Sequence, residues 1–341
     1  MKAKRHIVIL LVALIATFTI SNFTEDTLGD LIKAVYSNLT GKPLSNILLD
    51  DSGIPIVDYG YIEGIYIGEQ RNPVAICQKA FEYLEDYEEG NESSRRLFLN
   101  CVDWLVDNSV KHNNYAILEY RFDQPVYNMT SPWRSGLAQG QALQVLCRAQ
   151  DILNDRDYLD MAKKLLNSFF LEVENGGVTY KSIKDGWWYE EFADEGGLES
   201  RVLNGMMYAL LGIHEYYEYT KDSDAKFLFD QGIIALKATL HNYDMNGGRS
   251  YYDILGRFSA GYHKIHIQQL NELYDITNEE IFRNYHDRWK KYKEPPFVIR
   301  LVQNPYKLGI AVFCANFFVL IFILEILIFV IERRKKKKSL M

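Results

Sequence analysis

The sequence contains few cysteines, and their number specifies no disulfide framework. Only four of the 341 residues are Cys. Cys314 lies within a long apolar run near the C-terminus, which leaves Cys77, Cys101 and Cys147 in the rest of the chain. Because three is an odd number, the alternatives are one disulfide with a free thiol or three buried thiols, and the sequence does not choose between them.

Acidic residues outnumber basic ones in the central part of the chain. The formal net charge is −7, and this value understates the acidity of the centre because a cluster of Arg and Lys occupies residues 333–338. A chain with this charge distribution is not expected to bind nucleic acid. An anionic ligand would need a local basic pocket to bind against the overall field.

Ligands for a metal ion are scarce as well. His263 and His266 are three residues apart, so they would share one face of a helix. A zinc site needs at least three protein ligands, and no third ligand follows at a useful spacing. The alternative for at least one of these histidines is a buried, hydrogen-bonded structural role. We therefore expect no cofactor, neither a metal nor a nucleotide.

The N-terminus carries a short apolar run. Basic residues come first, and Ile7–Ile20 follows as an uninterrupted run of apolar or small residues. This layout predicts a signal peptide or a short signal anchor over residues 1–22. The run is short for a membrane span, which needs roughly 17 to 25 residues of helix, and no clean cleavage site follows it. Cleavage and retention are therefore both open.

A second apolar run, Leu308–Ile331, predicts a transmembrane helix, because only Asn316 and Glu325 interrupt it. The alternative, a buried core helix, rarely runs this long without polar residues. The basic tail, residues 332–341, should stay cytoplasmic, so the chain before the span should lie outside the cell or in a lumen. Since a charged carboxyl at this depth costs on the order of 2.5 kcal/mol, we expect Glu325 to be protonated, partnered or turned toward another helix.

Helical periodicity dominates between the two ends. Residues 23–72 are predicted to be a short β-rich lead-in, because β-forming residues alternate there with glycines. From Pro73 the apolar residues recur at helical spacing, and a Pro-containing stalk at residues 294–307 closes the pattern. The predicted helices after the first, which begins at Pro73, are 93–110, 138–153, 158–170, 198–219, 225–240, 262–274 and 279–292.

These helices form four hairpins in series, which predicts a fold dominated by α-helix. The expected architecture is an incomplete (α/α) toroid over residues 73–293, with inner helices around a concave centre and outer helices around them. The long connections 113–133, 171–197 and 242–261 contain Gly, aromatic and strand-like residues. They predict small β-hairpins at one rim, where a functional site is expected because such sites usually lie on loops of a rigid scaffold.

Three short segments on these connections or beside them combine phenols, carboxylates and imidazoles. They are Trp187–Glu191, Tyr252-Asp253 and Tyr262–His266. This mixture suits proton transfer, because Glu is a ready base and Tyr a ready acid at neutral pH. Tyrosinate as the base would cost about 4 kcal/mol at pH 7, so the simplest division makes Glu191 the base and Tyr262 the acid. A solvated hairpin is the alternative for the Trp187 segment.

Together with the Ala138-Gln-Gly-Gln-Ala142 run, these segments resemble the C-terminal domain of the D-glucuronyl C5-epimerases, which convert glucuronate to iduronate within a polysaccharide. The resemblance covers roughly residues 54–292. Trp188-Tyr-Glu-Glu191 and the Tyr-His-x-x-His-Ile pattern from Tyr262 match family motifs directly. The resemblance implies catalytic roles for Glu191, Tyr252 and Tyr262.

The sequence departs from the family pattern at three places. Phe192 stands where the family has Tyr, so a hydroxyl contact is missing there. The family's Tyr-Asp-Leu-Arg segment is longer here, so Arg257 matches only if the loop absorbs the extra residues. The large β-rich portion that precedes this domain in the animal enzymes is replaced by about fifty residues, and part of a long substrate groove could be lost with it.

Candidate substrate-binding residues lie in or beside the matched motifs. Arg134 and Arg249 are the nearest cations for a substrate carboxylate, and the glutamines at a helix start could hold sugar hydroxyls. A tight contact between helices is the alternative for Gly140. The full set of candidates is Arg134, Gln139, Gln141, Trp188, Tyr189, Asn204, Arg249, Arg257, His263 and His266.

The resemblance implies a membrane-anchored, outward-facing C5-epimerase that acts on uronate units of a polysaccharide or surface glycan. Such an enzyme removes the proton next to a carboxylate and returns one on the opposite face, so it needs two groups. A lyase that uses the same residues is an alternative, because the same proton abstraction can precede loss of the 4-linked sugar. A non-catalytic glycan-binding membrane protein is another. The sequence leaves the oligomeric state open, and a homodimer is among the alternatives.

Overall fold

The computed structural model describes residues 2–40, 45–153 and 156–338. The chain divides into a central unit, Asn46–Tyr292, and a terminal unit formed by the described residues on either side of it. In chain order the helices are α1 (Lys2–Thr40), α2 (Pro73–Glu88), α3 (Glu92–Asn108), α4 (Gly136–Leu153), α5 (Arg156–Asn167), α6 (Leu203–Thr220), α7 (Ser223–Thr239), α8 (Ala260–Thr277), α9 (Glu280–Trp289), α10 (Phe297–Gln303) and α11 (Lys307–Lys338).

The central unit is an incomplete (α/α) toroid, as the periodicity predicted. Each of α2, α4, α6 and α8 packs against the helix that follows it, and α4 packs against both α2 and α6, which in turn packs against α8. Helices α2, α4, α6 and α8 therefore form the inner layer, and α3, α5, α7 and α9 form the outer layer. The predicted helices match the observed ones to within a few residues at most ends.

Helix α2 begins where its sequence predicts. Pro73 occupies the first helical turn, where its missing N–H costs nothing. The side chain of Asn72 caps the helix, because its Oδ1 accepts hydrogen bonds from the backbone N–H groups of Val74 at 2.8 Å and Ala75 at 3.2 Å. This cap holds Asn72 at the mouth of the inner layer.

Helices α4 and α6 cross at glycines. A Cβ atom on Gly140 would lie 2.7 Å from the Cα atom of Ala209, and one on Gly212 would lie 2.0 Å from the backbone oxygen of Gly140. The two backbones therefore touch, which only glycine permits at these positions. The tight helix contact that was one alternative for Gly140 is confirmed.

Short strands make up the lead-in and the loops between helices. In the lead-in, β2 pairs with β1 and β5, and all these pairs are antiparallel. Most of the later hairpins lie on the predicted connections, and β10 pairs with β11 so that Thr179 is opposite Tyr189. The strands are β1 (Ile47–Leu49), β2 (Pro55–Asp58), β3 (Tyr61–Ile62), β4 (Ile65–Tyr66), β5 (Glu69–Gln70), β6 (Val110–Lys111), β7 (Ala116–Ile117), β8 (Glu119–Tyr120), β9 (Trp133–Arg134), β10 (Thr179–Ser182), β11 (Gly186–Tyr189), β12 (Asp244–Met245) and β13 (Arg249–Ser250).

Two predictions about element boundaries are wrong. The β-rich lead-in does not start at residue 23, because α1 continues to Thr40; Leu28 and Ile32, four residues apart, both pack against the same small apolar cluster of the terminal unit. Helix α6 starts at Leu203 and not at Leu198, because the preceding residues are extended and Arg201 has a positive φ of 43°. In the connection between the predicted helices 138–153 and 158–170, residues 154 and 155 lie outside the described residues.

The terminal unit pairs α1 with α11. The stretches His6–Thr40 and Lys307–Arg334 are long and apolar enough to cross a membrane, and the 18-residue windows tested within them have mean hydropathies of 2.3 and 2.8. Asn316 of α11 donates hydrogen bonds to the hydroxyls of Ser21 at 3.1 Å and Thr24 at 2.9 Å. Glu325 lies 2.9 Å from a ring nitrogen of His6, which confirms that this carboxyl has a partner on another helix.

The three cysteines of the central unit are free thiols. Cys77, Cys101 and Cys147 are all buried, and burial raises the pKa of each thiol well above its ordinary value. The structure thus has the three buried thiols that were one of the alternatives. Inert thiols of this kind act as small apolar side chains in the core.

Candidate active site

A cleft of about 360 Å³ lies over the N-terminal ends of the inner helices. Residues from the starts of α2, α4, α6 and α8 line it, together with residues from the lead-in and from the loops after β11 and β13. Because helix N-termini and loops meet there, many polar side chains converge. The polar residues that line the cleft include Tyr59, Asn72, Gln78, Tyr120, Gln124, Ser135, Glu191, Asn204, Tyr208, Tyr252 and Tyr262.

Glu191 is the carboxyl of this cleft. It follows β11, and its Oε1 atom accepts a hydrogen bond from the Tyr252 hydroxyl at 3.3 Å. Its Oε2 atom is buried and has no hydrogen-bond partner among the described residues. The side chain rests on the backbone of α6, since a Cβ atom on Gly205 would lie 2.3 Å from Oε2. Glycine at this position therefore makes room for the carboxyl.

Burial raises the pKa of Glu191 to about 8. This pKa includes a smaller upward contribution from the negative charge of neighbouring Glu190 and a downward one from the hydrogen bond of Tyr252. A carboxyl with this pKa is mostly protonated at pH 7, and its ionised form is a much stronger base than an ordinary carboxylate. Its pKa therefore lies in the range that suits general-base catalysis near neutral pH.

Two tyrosines lie next to Glu191. The rings of Tyr252 and Tyr262 have centroids 4.5 Å apart and are inclined by 40°. Burial raises the pKa of both phenols, and the nearby Glu191 charge adds to the effect. Tyr252 in turn lowers the pKa of Tyr262 through a hydrogen-bond interaction. Both phenols therefore remain protonated at neutral pH and can act as proton donors.

Glu190 has a different role from its neighbour. It is fully buried, and its carboxylate accepts hydrogen bonds from the Ser200 hydroxyl at 2.8 Å and from the backbone N–H of Arg201 at 2.9 Å. Burial raises its pKa to about 7. These bonds tie the extended segment before α6 to the end of β11. Glu190 thus supports the wall of the cleft, and Glu191 faces it.

The two histidines connect α8 to β13. The Ser250 hydroxyl lies 2.8 Å from Nδ1 of His263 and 2.8 Å from Nδ1 of His266. Burial lowers the pKa of His266 to about 3, so this ring is neutral. Both side chains are buried beside the cleft and do not line it, and they fix the start of α8, which carries Tyr262. In the part of the chain that the structure describes, no group of three potential metal ligands occurs.

Four other predicted residues make their contacts outside the cleft. Arg134 donates to the backbone oxygen of Val173 at 3.3 Å, away from the cleft. Gln139 is fully buried and bonds to Leu118, Ala116 and Ser168. The rings of Trp188 and Tyr243 are stacked with centroids 6.0 Å apart, and the Tyr189 hydroxyl donates to the backbone oxygen of Leu228. None of the four predicted residues lines the cleft.

The remaining predicted cations are also held elsewhere. Arg249 lies over the rings of Phe258 and Tyr292, and Arg257 lies 4.4 Å from the ring of Tyr127 and donates to the backbone oxygen of Val126. Among the described residues that line the cleft, none is Lys, Arg or His. The local basic pocket that the sequence led us to expect is therefore not found in the described part of the cleft.

Two predicted amides have unpaired oxygens. Asn204 lines the cleft at the start of α6, is buried, and its Oδ1 lacks a hydrogen-bond partner among the described residues. Gln141 is buried one turn after Leu137, and its Oε1 is likewise unpaired in the described structure. Leu137 lines the cleft, whereas Gln141 does not. Asn204 is therefore the predicted amide in position to contact a ligand.

The sequence-based prediction missed several residues of the cleft. Tyr59 comes from the lead-in, Tyr120 from β8 and Tyr208 from α6. Tyr208 could have been found, because it follows Asn204 by four residues on the same helix face. Tyr59 and Tyr120 could not, because no spacing in the sequence indicates that a lead-in strand reaches the helix starts.

Residues 112–291 match the family described as the D-glucuronyl C5-epimerase C-terminus. The chain is 31% identical over 263 residues to an uncharacterised protein of Methanocaldococcus jannaschii, covering 71% of this chain and 84% of that protein. It is 27% identical over 295 residues to the D-glucuronyl C5-epimerase of Caenorhabditis elegans, covering 80% of this chain and 44% of that enzyme. The chain thus spans less than half of the nematode protein.

Among solved structures, the chain is similar to a cellobiose 2-epimerase from Bacillus thermoamylovorans B4167. The TM-score is 0.46 and the sequence identity is 16%, covering 74% of this chain and 68% of that enzyme. A mannose isomerase matches with the same TM-score, 15% identity, and coverage of 71% of this chain and 64% of that one.

Proposed function

The chain belongs to the D-glucuronyl C5-epimerase family, and we propose that it converts glucuronate to iduronate units in a polysaccharide or surface glycan. The observation that carries this proposal is the cluster of Glu191, Tyr252 and Tyr262 in one cleft. It combines one base of raised pKa with protonated phenols. These are the two kinds of group that removal and return of a proton at C5 require.

Glu191 is the proposed base. Its ionised form takes the C5 proton, which is acidic because it lies next to the substrate carboxylate. With a pKa of about 8, roughly one tenth of the carboxyl is ionised at pH 7. The ionised fraction is small, but each ionised carboxylate is a stronger base than an ordinary Glu, so the two effects partly offset each other.

Tyr262 is the proposed acid. Its raised pKa keeps the phenol protonated, and it gives its proton to C5 on the other face of the sugar. The C–H bond broken by Glu191 is thereby replaced by a new C–H bond of opposite configuration. At this stage Glu191 is protonated and Tyr262 is a phenolate.

Tyr252 completes the cycle by passing a proton between them. Its hydroxyl donates to Glu191, and its ring lies against that of Tyr262. When the Tyr262 phenolate forms, Tyr252 gives it a proton and takes one from the Glu191 carboxyl. Every group then returns to its starting state, so the reaction consumes no co-reactant, cofactor or metal.

We propose that the protein is anchored in a membrane with its central unit outside. The two apolar helices of the terminal unit support an anchor at both ends. Basic residues lie at the N-terminal end of α1 and at the C-terminal end of α11, and such flanks stay cytoplasmic. A retained N-terminal helix is favoured over a cleaved signal peptide, because polar groups of α11 bond to α1.

The proposed reaction is tested by incubating the full-length protein with a glucuronate polymer and reading both the sugar configuration and the chain length. We expect iduronate signals in the NMR spectrum and an unchanged length by size-exclusion chromatography, with Glu191→Gln as the inactive control. Shortened chains with unsaturated ends would instead identify a lyase. Binding without either change, across a panel of uronate polymers, would identify a glycan-binding protein and contradict the proposal.

A further inference from the structure

Tyr59, Asn72 and Tyr120 form a chain of hydrogen bonds along one wall of the cleft. The Tyr120 hydroxyl donates to Oδ1 of Asn72 at 3.2 Å, and Nδ2 of Asn72 donates to the Tyr59 hydroxyl at 2.7 Å. All three residues line the cleft. Tyr120 is itself fixed by the indole of Trp133, whose ring is stacked on it at 3.8 Å with an angle of 11°.

The orientation of the Asn72 amide is determined by the helix that it caps. Its oxygen accepts from the backbone N–H groups of Val74 and Ala75, so this atom must be the oxygen and the other must be the nitrogen. The amide nitrogen therefore points toward Tyr59. The usual ambiguity between the two ends of an Asn side chain does not arise here.

This orientation decides which way the Tyr59 proton can point. Because Asn72 donates to the Tyr59 oxygen, the Tyr59 O–H cannot donate to Asn72 and is available to another acceptor. Burial raises the pKa of Tyr59, and Tyr262 is close enough to add to the effect, so the phenol stays protonated. The ring is held against Phe122, with centroids 4.8 Å apart.

A uronate substrate presents a carboxylate that needs such donors. The described residues that line the cleft include no Lys, Arg or His, so the carboxylate must be bound there by neutral groups. A hydrogen bond from a neutral donor to a charged acceptor is stronger than one between two neutral groups. A phenol held in one direction provides such a bond without loss of side-chain freedom on binding.

We propose that Tyr59 determines specificity by donating its O–H to the substrate carboxylate, with Asn72 as the positioning residue that directs this proton into the cleft. The inference rests on the proposed function for the identity of the ligand. It makes the short lead-in part of the site, because Tyr59 directly follows β2. Recognition of the substrate carboxylate then depends both on Asn72, which caps α2, and on Tyr59, which follows strand β2 of the lead-in.

The test compares two ligands that differ only in the acid group. A glucuronate oligosaccharide and its carboxyl-reduced form, with glucose in place of glucuronate, are titrated into the full-length protein in detergent, and the dissociation constants are compared. The wild type is expected to bind the acid at least tenfold more tightly. Tyr59→Phe, which removes only the hydroxyl, should lose this preference and still bind the reduced form as before.

Asn72→Asp provides a second variant that keeps the fold. Asp caps a helix as well as Asn does, so the melting temperature should not fall. The new carboxylate oxygen would accept the Tyr59 proton and turn it away from the cleft, and we expect the preference for the acid to be lost here too. Tyr61→Phe is the matched control, because Tyr61 is an exposed tyrosine of the neighbouring hairpin.

Retention of the preference by Tyr59→Phe would overturn the inference, and so would a wild type that binds both ligands equally. Neither result depends on turnover. Absence of iduronate formation would contradict the proposed function alone, so the two failures can be told apart. In an active protein, Tyr59→Phe should also raise KM about tenfold while kcat changes less, because the bond is made before and during proton transfer.

Discussion

Two adjacent carboxyls, Glu190 and Glu191, show how local surroundings assign different roles to the same residue type. Three hydrogen bonds satisfy Glu190 and fix a loop. Glu191 has one hydrogen bond, from a tyrosine, and one oxygen without a partner among the described residues. A carboxyl that is buried and poorly bonded has a raised pKa and an open side for a substrate proton. This contrast supports the proposal that Glu191, and not Glu190, is the base.

The raised pKa of Glu191 predicts the pH dependence of the reaction. Only the ionised carboxyl is a base, and its pKa is about 8. We expect kcat to increase about tenfold per pH unit well below pH 8 and to level off above it. Initial rates of C5 proton exchange, measured by NMR between pH 5.5 and 9, check this. A rate that is flat from pH 5.5 upward would contradict the assignment of Glu191 as the base.

Replacing Glu191 by Gln should abolish exchange and stabilise the fold at neutral pH and above. The folded-state pKa is raised from 4.5 to about 8, so the folded protein binds more protons than the unfolded chain between these values, and the carboxyl destabilises it increasingly as pH rises. At pH 7 the gain from the substitution is up to about 3 kcal/mol.

The measurement is the melting temperature of variant and wild type at pH 5 and pH 8. The difference in melting temperature between the variant and the wild type should be larger at pH 8 than at pH 5. Glu195→Gln, an exposed residue in the same loop, is the control and should change neither activity nor stability. Equal differences at the two pH values would show that the folded-state pKa of Glu191 is not raised.

At the residue scale, the sequence identified the carboxyl and two of the phenols that meet in the cleft. It did not identify every side chain that lines the cleft. Four residues predicted from the matched motifs line one cleft in the structure: Glu191, Asn204, Tyr252 and Tyr262. Arg134 lies in a matched segment too, yet it turns toward a neighbouring loop. Motif spacing fixes the backbone, whereas the direction of a long side chain depends on partners from distant segments, which the sequence does not reveal.

At the scale of single elements, α6 is the helix that makes room for the Glu191 carboxyl, the proposed base. Gly205→Ala would place a Cβ atom 2.3 Å from Oε2 of Glu191, which is too close for the carboxyl to stay where it is. In a helix Ala is better than Gly by up to about 1 kcal/mol, so the fold should persist. We expect the exchange rate to fall at least a hundredfold because the base is displaced.

The assay compares exchange rates and far-ultraviolet circular dichroism of Gly205→Ala with those of Gly196→Ala. A Cβ atom on Gly196 would meet nothing within 4 Å, so that variant should resemble the wild type. Full activity of Gly205→Ala would mean that Glu191 does not act from its present position.

The crossing of α4 and α6 should be the least tolerant part of the scaffold. A Cβ atom on Gly212 would meet the backbone of Gly140, which cannot move as a side chain can. Overpacking of this kind typically costs 1 to 3 kcal/mol, and a backbone clash costs the upper value or more. Gly212→Ala is therefore expected to unfold at clearly lower urea concentration than the wild type, and an unchanged midpoint would contradict the close approach of these helices.

Helices were the elements most predictable from sequence. Their apolar spacing repeats over several turns, and caps such as Asn72-Pro73 mark their starts. The exceptions have physical reasons: α1 extends past its apolar run, and the start of α6 is delayed by residues bonded to Glu190. Short strands were less predictable, because two-residue pairs such as β8 with β9 carry no periodicity.

At the scale of the whole molecule, a toroid of helical hairpins is combined with an apolar helix near each end. The toroid followed from four hairpins in series, and each inner helix adds one N-terminus to the cleft. The pairing of α1 with α11 did not follow from the sequence, because no pattern within one helix identifies its partners on another, such as the hydroxyls that Asn316 contacts.

The full-length protein should behave as an integral membrane protein with both ends cytoplasmic. We expect it to remain in membranes washed with alkaline carbonate. Protease added from outside intact cells should digest the central unit and spare an epitope tag placed after the last residue. Digestion of that tag would reverse the orientation, and release by carbonate would contradict the anchor.

The central claim is that Glu191 and the tyrosines of the cleft exchange the C5 proton of a glucuronate unit. The most direct test is to incubate the full-length protein with a glucuronate polymer in deuterated water and to follow C5 by NMR. The account predicts deuterium at C5 with unchanged chain length for the wild type, and none for Glu191→Gln. No deuterium at C5 with the wild type, or equal exchange by the Glu191→Gln variant, would contradict it.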